Sequence, residues 1–394
     1  MSAGFEDFTR AAQSLRRADP QRAAPFTRFA VLGGGADARL LAALCLAEGA
    51  EVTLFSAYGS ELAALRQGSG IALRGAGPVG SYHVDRDGPA VRLTAELDAA
   101  VSGAQAIFLT GPVHKQRTYA MVLAEHLSDG QVLVLAPGRS LGAVEVAWML
   151  RIGGCAADVT LVEALGLPYW IAAEGSVLTL SEAGPMMAAT LPRGRAHVLQ
   201  ALAPVLPNLD GAESVLASGF ADLSGAVELP ALMMGGAGLA QAGAEIPMGG
   251  VPLAENATFA ALIGPDQRRV IEALAEERRN VAAAFGVRDL PDTDAWIATF
   301  AGAERGAGSR PVPDRAAARA LVRDGVIASL APLVSAASLA GTPVPVTQGL
   351  IRLAEAVLGA DLAAAGRRLD AIGITAETVD SARRAFDALM TGVR

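Results

Sequence analysis

One stretch constrains this chain more than any other: Phe29-Ala30-Val31-Leu32-Gly33-Gly34-Gly35-Ala36-Asp37-Ala38. An apolar strand, Phe29 to Leu32, runs into a glycine triplet, and an alanine-rich apolar helix follows from Leu40 to Glu48. Gly49 ends that helix, and a second apolar strand runs from Val52 to Phe55. Together they read as the first βαβ unit of a dinucleotide-binding fold. Glycines let the main chain turn tightly and approach a pyrophosphate. The helix that begins there presents its free N–H groups and positive dipole end to the phosphates. The spacing Gly33-x-Gly35-x-x-Ala38 fits the fingerprint, which admits Ala in the last place. Gly33, Gly34, Gly35, Ala36, Asp37 and Ala38 are the expected nucleotide-binding residues. A tight structural turn is the plainer reading of three glycines, and the strand and helix on either side weigh against it.

With 394 residues the chain has room for two domains. It is 52% hydrophobic but only 5% aromatic, which favours a well-buried globule built on Ala, Leu and Val. A net charge of −8 argues against nonspecific nucleic-acid binding. Cys45 and Cys155 form no CxxC or Cys/His cluster, so no disulfide framework or metal site is expected. Both read as buried thiols in a reducing compartment. Residues 1–25 form an N-terminal extension without the apolar core of a signal peptide, and a cytoplasmic protein is expected. Residues 325–351 carry no charge over 27 positions, longer than a bilayer span requires. Pro332, Gly341, Pro343 and Pro345 interrupt them, so a buried helix–turn–helix is expected and no membrane partner.

The first half alternates strand and helix, which predicts a mostly parallel sheet with helices on both faces. Strands are expected at 71–74, 91–93, 106–110, 132–136 and 159–163, and a helix from Lys115 to Leu127. From about residue 211 long apolar-periodic segments replace this pattern. The expected fold class is thus α/β plus all-α, with a Rossmann dinucleotide-binding domain over 26–210. A helical domain is expected over 211–394.

Further candidates lie at strand ends, where such folds meet their cofactor. Gly111-Pro112 ends the strand at 106–110, and His114 follows, either near nicotinamide or ribose or as a surface residue of a helix N-terminus. Ser56 ends the second strand, where NAD-preferring proteins usually carry Asp or Glu for the ribose 2′-hydroxyl. A small residue leaves room for a 2′-phosphate, and Arg66 could assist, so NADP is expected with NAD possible. Tyr169 and Trp170 read as core packing.

Several pieces together resemble the opine dehydrogenase family of octopine and nopaline dehydrogenase type. The glycine turn is the first. The second is Leu135-Ala136-Pro137-Gly138-Arg139-Ser140-Leu141-Gly142-Ala143-Val144-Glu145, and the third is Val162-Glu163-Ala164 with Pro168-Tyr169 behind it. The fourth joins Arg319-x-x-x-x-Asp324, Leu330-Ala331-Pro332-Leu333, Gly341-Thr342-Pro343-Val344-Pro345 and Gly366-Arg367-Arg368-Leu369-Asp370-x-x-Gly373. The resemblance implies a Rossmann domain joined to a helical substrate domain, with the active site between them and a homodimer through helical domains. It implies reductive condensation: a 2-oxo acid and an amine form an imine, and NAD(P)H delivers hydride to the imine carbon.

By that resemblance Arg319 holds the substrate carboxylate and Asp324 belongs to a His–Asp pair. The alternatives are a surface ion pair for Arg319, beside Arg315 and Arg323, and an N-cap of a 327–340 helix for Asp324. The family His, usually followed by Pro, aligns on Pro230 with Leu229. An alkyl side chain moves no protons, although a protonated imine needs no acid at the hydride step. Glu228 is a candidate recruited acid, or else an exposed helix carboxylate; Leu229 is otherwise a core leucine. The expected function is an NAD(P)H-dependent oxidoreductase acting on a small carboxylate-bearing substrate. The alternative is a catalytically silent nucleotide-binding homologue. Ketopantoate reductases share the domain plan but rely on a Lys, and Lys115, the only lysine, sits beside the cofactor turn.

Overall fold

The structure is a computed structural model that describes residues 23–68, 70–234, 257–301 and 310–391. Most of the expected N-terminal extension, residues 1–22, lies outside the described residues. Among the described residues, twelve strands fall into an eight-stranded and a four-stranded sheet. The centre of the large sheet comes from four short, mostly apolar runs: β1 (Arg28–Leu32), β6 (Ala106–Leu109), β7 (Val132–Leu135) and β8 (Thr160–Ala164). From Phe29 onward every residue of these strands is buried, as both faces of a parallel sheet covered by helices require. β2 (Glu51–Phe55) and β5 (Arg92–Thr94) extend it on one side, and β11 (Met186–Leu191) and β12 (Leu209–Gly211) on the other. The spatial order is β12-β11-β8-β7-β6-β1-β2-β5, parallel throughout except that β11 runs antiparallel to β8.

The chain order reverses between β1 and β6. Helices α1 (Ala36–Ala47) and α4 (Val113–Leu123) therefore begin side by side at the carboxyl ends of neighbouring strands. This is the crevice in which open α/β sheets hold ligands. α4 starts at Val113, two residues earlier than expected, because Pro112 serves as its N-cap. The second sheet was not expected. It pairs β3 (Ile71–Gly75) and β4 (Gly80–Tyr82) with the hairpin β9 (Tyr169–Glu174) and β10 (Val177–Glu182), in the order β4-β3-β10-β9. Tyr169 and Trp170 accordingly lie half-buried on a strand. Of the two thiols, Cys45 is buried as expected and Cys155 only partly.

Past β12 the elements are helical. Ser214 caps α7 (Val215–Ala221) by accepting from the Ala217 N–H at 3.1 Å, and α8 (Ser224–Met234) follows. α9 (Pro265–Ala284), α10 (Thr293–Ala301) and α11 (Arg315–Gly325) form a core with α8. α11 does not end before the uncharged segment. It continues through a π turn at Val326–Leu330 into α12 (Ala331–Ala340), and α13 (Pro345–Leu358) follows the turn at Gly341. Two helical stretches, Val215–Met234 and Arg315–Ala340, are long and apolar enough to cross a membrane. Most of each is buried inside the chain, 89% and 67% of the apolar window, as in core helices. The last helix, α14 (Val379–Thr391), returns to the large sheet. The Arg193 N–H after β11 donates to the Met390 carbonyl at 2.7 Å, and Phe386 and Met390 join the core around Leu191.

The π turn joins the halves. The Ala331 N–H reaches back to the Val326 carbonyl, and Pro332 has no N–H for the next carbonyls. Those acceptors are taken from outside the helix: Ile327 by the Arg367 N–H at 2.9 Å and Ala328 by the Ser140 N–H at 3.1 Å. Arg367 itself is fully buried. Its guanidinium donates to Glu145 Oε2 at 2.7 Å, Gln116 Oε1 at 3.0 Å, and the Gly138 and Ser140 carbonyls at 2.7 and 3.2 Å. Removing one partner of such a buried pair leaves a charge uncompensated. Arg367→Met is expected to lower unfolding free energy in denaturant titrations by about 3–5 kcal/mol. Arg368→Met, at the half-exposed neighbour, is expected to cost under about 1 kcal/mol.

Candidate active site

The glycine turn fits between strand ends. Gly33 takes φ +135° and donates its N–H to the Phe55 carbonyl at 2.9 Å; an ideal Cβ there would lie 2.4 Å from Thr110 Oγ1. Only glycine tolerates both demands. Gly35 is the N-cap of α1 without a side-chain cap, and no atom lies within 4 Å of an ideal Cβ on it. The first-turn N–H groups of Ala36, Asp37 and Ala38 thus begin a helix beside open space. The dipole and the free donors suit a diphosphate, so the cradle fits a dinucleotide. Gly111, at φ +83°, and Pro112 turn the chain from β6 into α4 on the opposite wall.

Ser56 is 1% exposed, and its hydroxyl donates to Glu61 Oε2 at 2.5 Å. The small open position expected there therefore borders a carboxylate. Arg66 is not beside it, because its Nε pairs with Asp85 at 2.8 Å.

Across the crevice, Asp324 lies in the last turn of α11. It is not an N-cap, since the helix runs on through Val326–Leu330. One carboxylate oxygen instead accepts from the Val113 N–H at the start of α4, at 3.4 Å, and the other from Arg323 Nε at 3.2 Å. An acid at a helix N-terminus is favourably placed. His114, next along α4, is exposed at the helix start, the surface position that was the alternative for it. Partial desolvation against the neighbouring elements lowers its pKa, with Arg323, Lys115 and Arg117 adding to the effect and Asp324 opposing it. Asp37 is half-buried, and burial pushes its carboxyl up to about 6, with Arg139 pulling it down and Asp324 raising it further.

Arg319 is half-buried and makes no hydrogen bond or ion pair among the described residues, so the surface ion-pair alternative does not describe it. It stands four positions before Arg323, on the same helix face. Glu228 is not exposed. It is 2% accessible, with Oε2 bonded to Arg139 Nη1 at 3.0 Å and Oε1 to Arg310 Nη2 at 2.7 Å. Two guanidinium donors occupy both oxygens, which suits a structural anchor rather than a recruited acid. Leu229 is wholly buried in the helical core; an ideal Cβ on Gly325 would lie 2.6 Å from its Cδ1. It therefore packs on the backbone next to Asp324, as a core leucine.

Sequence reasoning missed the arginines around Glu228. Arg139 sits at φ +57° and is buried. Burial pulls its guanidinium down, but Glu228, Asp222 and Asp324 outweigh this and hold it above its ordinary value. Arg310 is stacked between Phe259 and Trp170, at 4.0 and 4.5 Å from the ring centroids. Trp170 thereby ties the small sheet to the helical half. Arg139 lies inside a motif that could have flagged it; Glu61 and Arg310 carry no local signal.

No family model matches the chain. A curated relative, opine dehydrogenase from Arthrobacter sp. (strain 1C), is 24% identical over 373 residues, covering 91% of this chain and 98% of the relative. Octopine dehydrogenase solved with NADH and L-arginine matches at a TM-score of 0.64 and 18% identity, over 93% of this chain and 98% of its own. Yersinopine dehydrogenase with NADP+ bound matches at 0.57 and 14% identity, over 94% of this chain and 99% of its own. The chain resembles the opine dehydrogenases. Its fold is a Rossmann domain with a helical C-terminal domain, as in those structures.

One buried acid of this opine-dehydrogenase-like chain gives the interface a pH dependence. Glu163, at the end of β8, accepts from the Ala143 N–H at 3.0 Å, and Ser218 Oγ lies 2.8 Å from its other oxygen. Burial pushes its carboxyl from 4.5 up to about 7. Ser218 can turn its hydrogen to the Val215 carbonyl, 3.3 Å away, and accept from protonated Glu163. The folded state thus binds this proton more tightly than the unfolded chain. The resulting stability is full below 4.5 and lost as pH rises through about 7. Between about pH 5 and about pH 8, Glu163→Gln is expected to remove up to about 3 kcal/mol of this decline, read from urea midpoints.

Proposed function

We propose that this chain is an NAD(P)H-dependent reductase of opine dehydrogenase type. Its substrate is the imine formed between a carboxylate-bearing carbonyl compound and an amine. The observation that carries the reading is the uncapped N-terminus of α1, which opens at the strand-order reversal and faces Asp324 of the helical half. Opine dehydrogenase as a relative, and neighbours solved with NADH and pyruvate or L-arginine, support the same chemistry.

The residues divide the work. The glycine turn and the first turn of α1 would hold the diphosphate. The guanidinium of Arg319, without a partner among the described residues, offers the planar fork that matches a carboxylate. When bound, the dinucleotide supplies a hydride to the imine carbon. An imine that enters protonated needs no acid at that step, so Leu229 in place of an imidazole is compatible with reduction. Asp324 orients the start of α4, and His114 beside it is the titratable group at hand for proton exchange. A homodimer through the helical half in a reducing cytoplasm belongs to this reading, and sedimentation measures the dimer directly.

The test follows NAD(P)H oxidation with panels of 2-oxo acids, with and without amino acids. Turnover that requires both is expected. Nucleotide binding without turnover on any panel would overturn the reading in favour of a silent homologue. Arg319→Ala is expected to raise the KM for the oxo acid roughly 10- to 100-fold while nucleotide affinity stays within about twofold. An unchanged KM would remove Arg319 from the site.

A further inference from the structure

β2 ends at Phe55, and the residue at its carboxyl end, where a ribose-binding acid normally stands, is Ser56. The carboxylate arrives by another route. Tyr58 is the N-cap of α2 (Gly59–Gln67), which places Glu61 in the first turn, where a negative charge is stabilised. The Glu61 N–H donates to the Tyr58 carbonyl at 3.0 Å. The Tyr58 N–H donates to Ser56 Oγ at 3.1 Å, which leaves the hydroxyl hydrogen for Glu61 Oε2. The buried serine thus acts as a bracket that folds the Glu61 side chain back over the end of β2.

That side chain lies on the glycine turn. An ideal Cβ on Gly34 would sit 1.9 Å from Glu61 Oε2 and 3.0 Å from Glu61 Cβ. The middle glycine is therefore the position that admits the carboxylate. Its place, between the ends of β1 and β2 and beside the diphosphate cradle, is where the adenosine ribose lies in this fold. Three cations stand nearby: Lys115 lies over the Tyr58 ring at 4.9 Å, and Arg39, whose buried Nε has no hydrogen-bond partner among the described residues, feels the Glu61 charge. Arg39 Nη1 donates to the Gly175 carbonyl, and Arg66 pairs with Asp85. Each guanidinium thus has a partner of its own, and the carboxylate held at the end of β2 by Ser56 is that of Glu61.

We propose that Glu61 accepts the hydrogen bond of the adenosine 2′-hydroxyl and makes the chain select NAD(H) over NADP(H). This reverses the preference that Ser56 alone implies, and it rests on the reading that the crevice holds a nicotinamide dinucleotide. A hydroxyl gives the carboxylate a donor. A 2′-phosphate brings no donor at neutral pH and close to two further negative charges against it.

The experiment is equilibrium titration of NADH, NADPH and 2′-deoxy-NADH, followed by nicotinamide fluorescence without substrate. The unaltered protein is expected to bind NADH about a hundredfold or more tighter than NADPH, and to lose about tenfold with the 2′-deoxy analogue. Glu61→Gln keeps an acceptor for Ser56 and removes the charge. It is expected to shrink the NADH preference at least about tenfold, mainly through tighter NADPH binding. Tighter NADPH binding by the unaltered protein, or a preference unchanged in both Glu61→Gln and Glu61→Ala, overturns the assignment. An unchanged affinity for the 2′-deoxy analogue does the same without any substitution. If neither nucleotide binds, the parent reading of the crevice falls together with it, a result distinct from binding without discrimination.

Discussion

Proline has no N–H, and at Pro332 that omission organises the contact between the two halves of the chain. A regular helix would consume the Ile327 and Ala328 carbonyls internally. Here they face outward as acceptors, and the Arg367 and Ser140 N–H groups take them. Ser140 belongs to the segment after β7, and Arg367 to the tail that also binds Glu145 and the Gly138 carbonyl. One missing donor thus fixes the register of α11 against the sheet. Asp324, two residues before the π turn, then reaches the start of α4. Buried polar groups are costly unless fully bonded, so this register tolerates little slip.

The same logic governs the close helix crossing. Ideal Cβ positions on Gly225 and Gly325 would fall 2.8 Å from the Gly325 carbonyl oxygen and 2.6 Å from Leu229 Cδ1 respectively. The absence of side chains lets α8 and α11 touch along their backbones. Leu229 then fills the crossing beside Asp324. An apolar residue there seals the helical core and removes an ionisable group from it, and the buried charges gather one residue earlier, around Glu228.

Much of the large sheet was legible in the sequence. β1, β6, β7 and β8 are short apolar runs that end in glycine or proline, and burial on both faces writes such runs plainly. Of the small sheet only β3 was legible as a strand, and its membership was not, because these strands are half-exposed and pair across about a hundred residues, as Leu178 does with Leu73. The boundary at Asp324 misled for a related reason: a charge before an uncharged segment looks like a cap, and only three-dimensional packing shows the helix continuing. The glycine turn was nameable from its spacing, and Arg319 and Asp324 as candidates through the family resemblance. Glu61 was not, because the strand-end rule inspects one position, and here the carboxylate comes from the next helix by way of a serine.

The return of α14 to β11 has a mechanical consequence. The helical half is joined to the sheet both where the chain leaves β12 and where its last helix docks again. A body held at two separated points swivels poorly about either one and turns most freely about the line through both. The π-turn contacts of Ser140 and Arg367 add joints away from that line, so twisting of one half against the other is resisted.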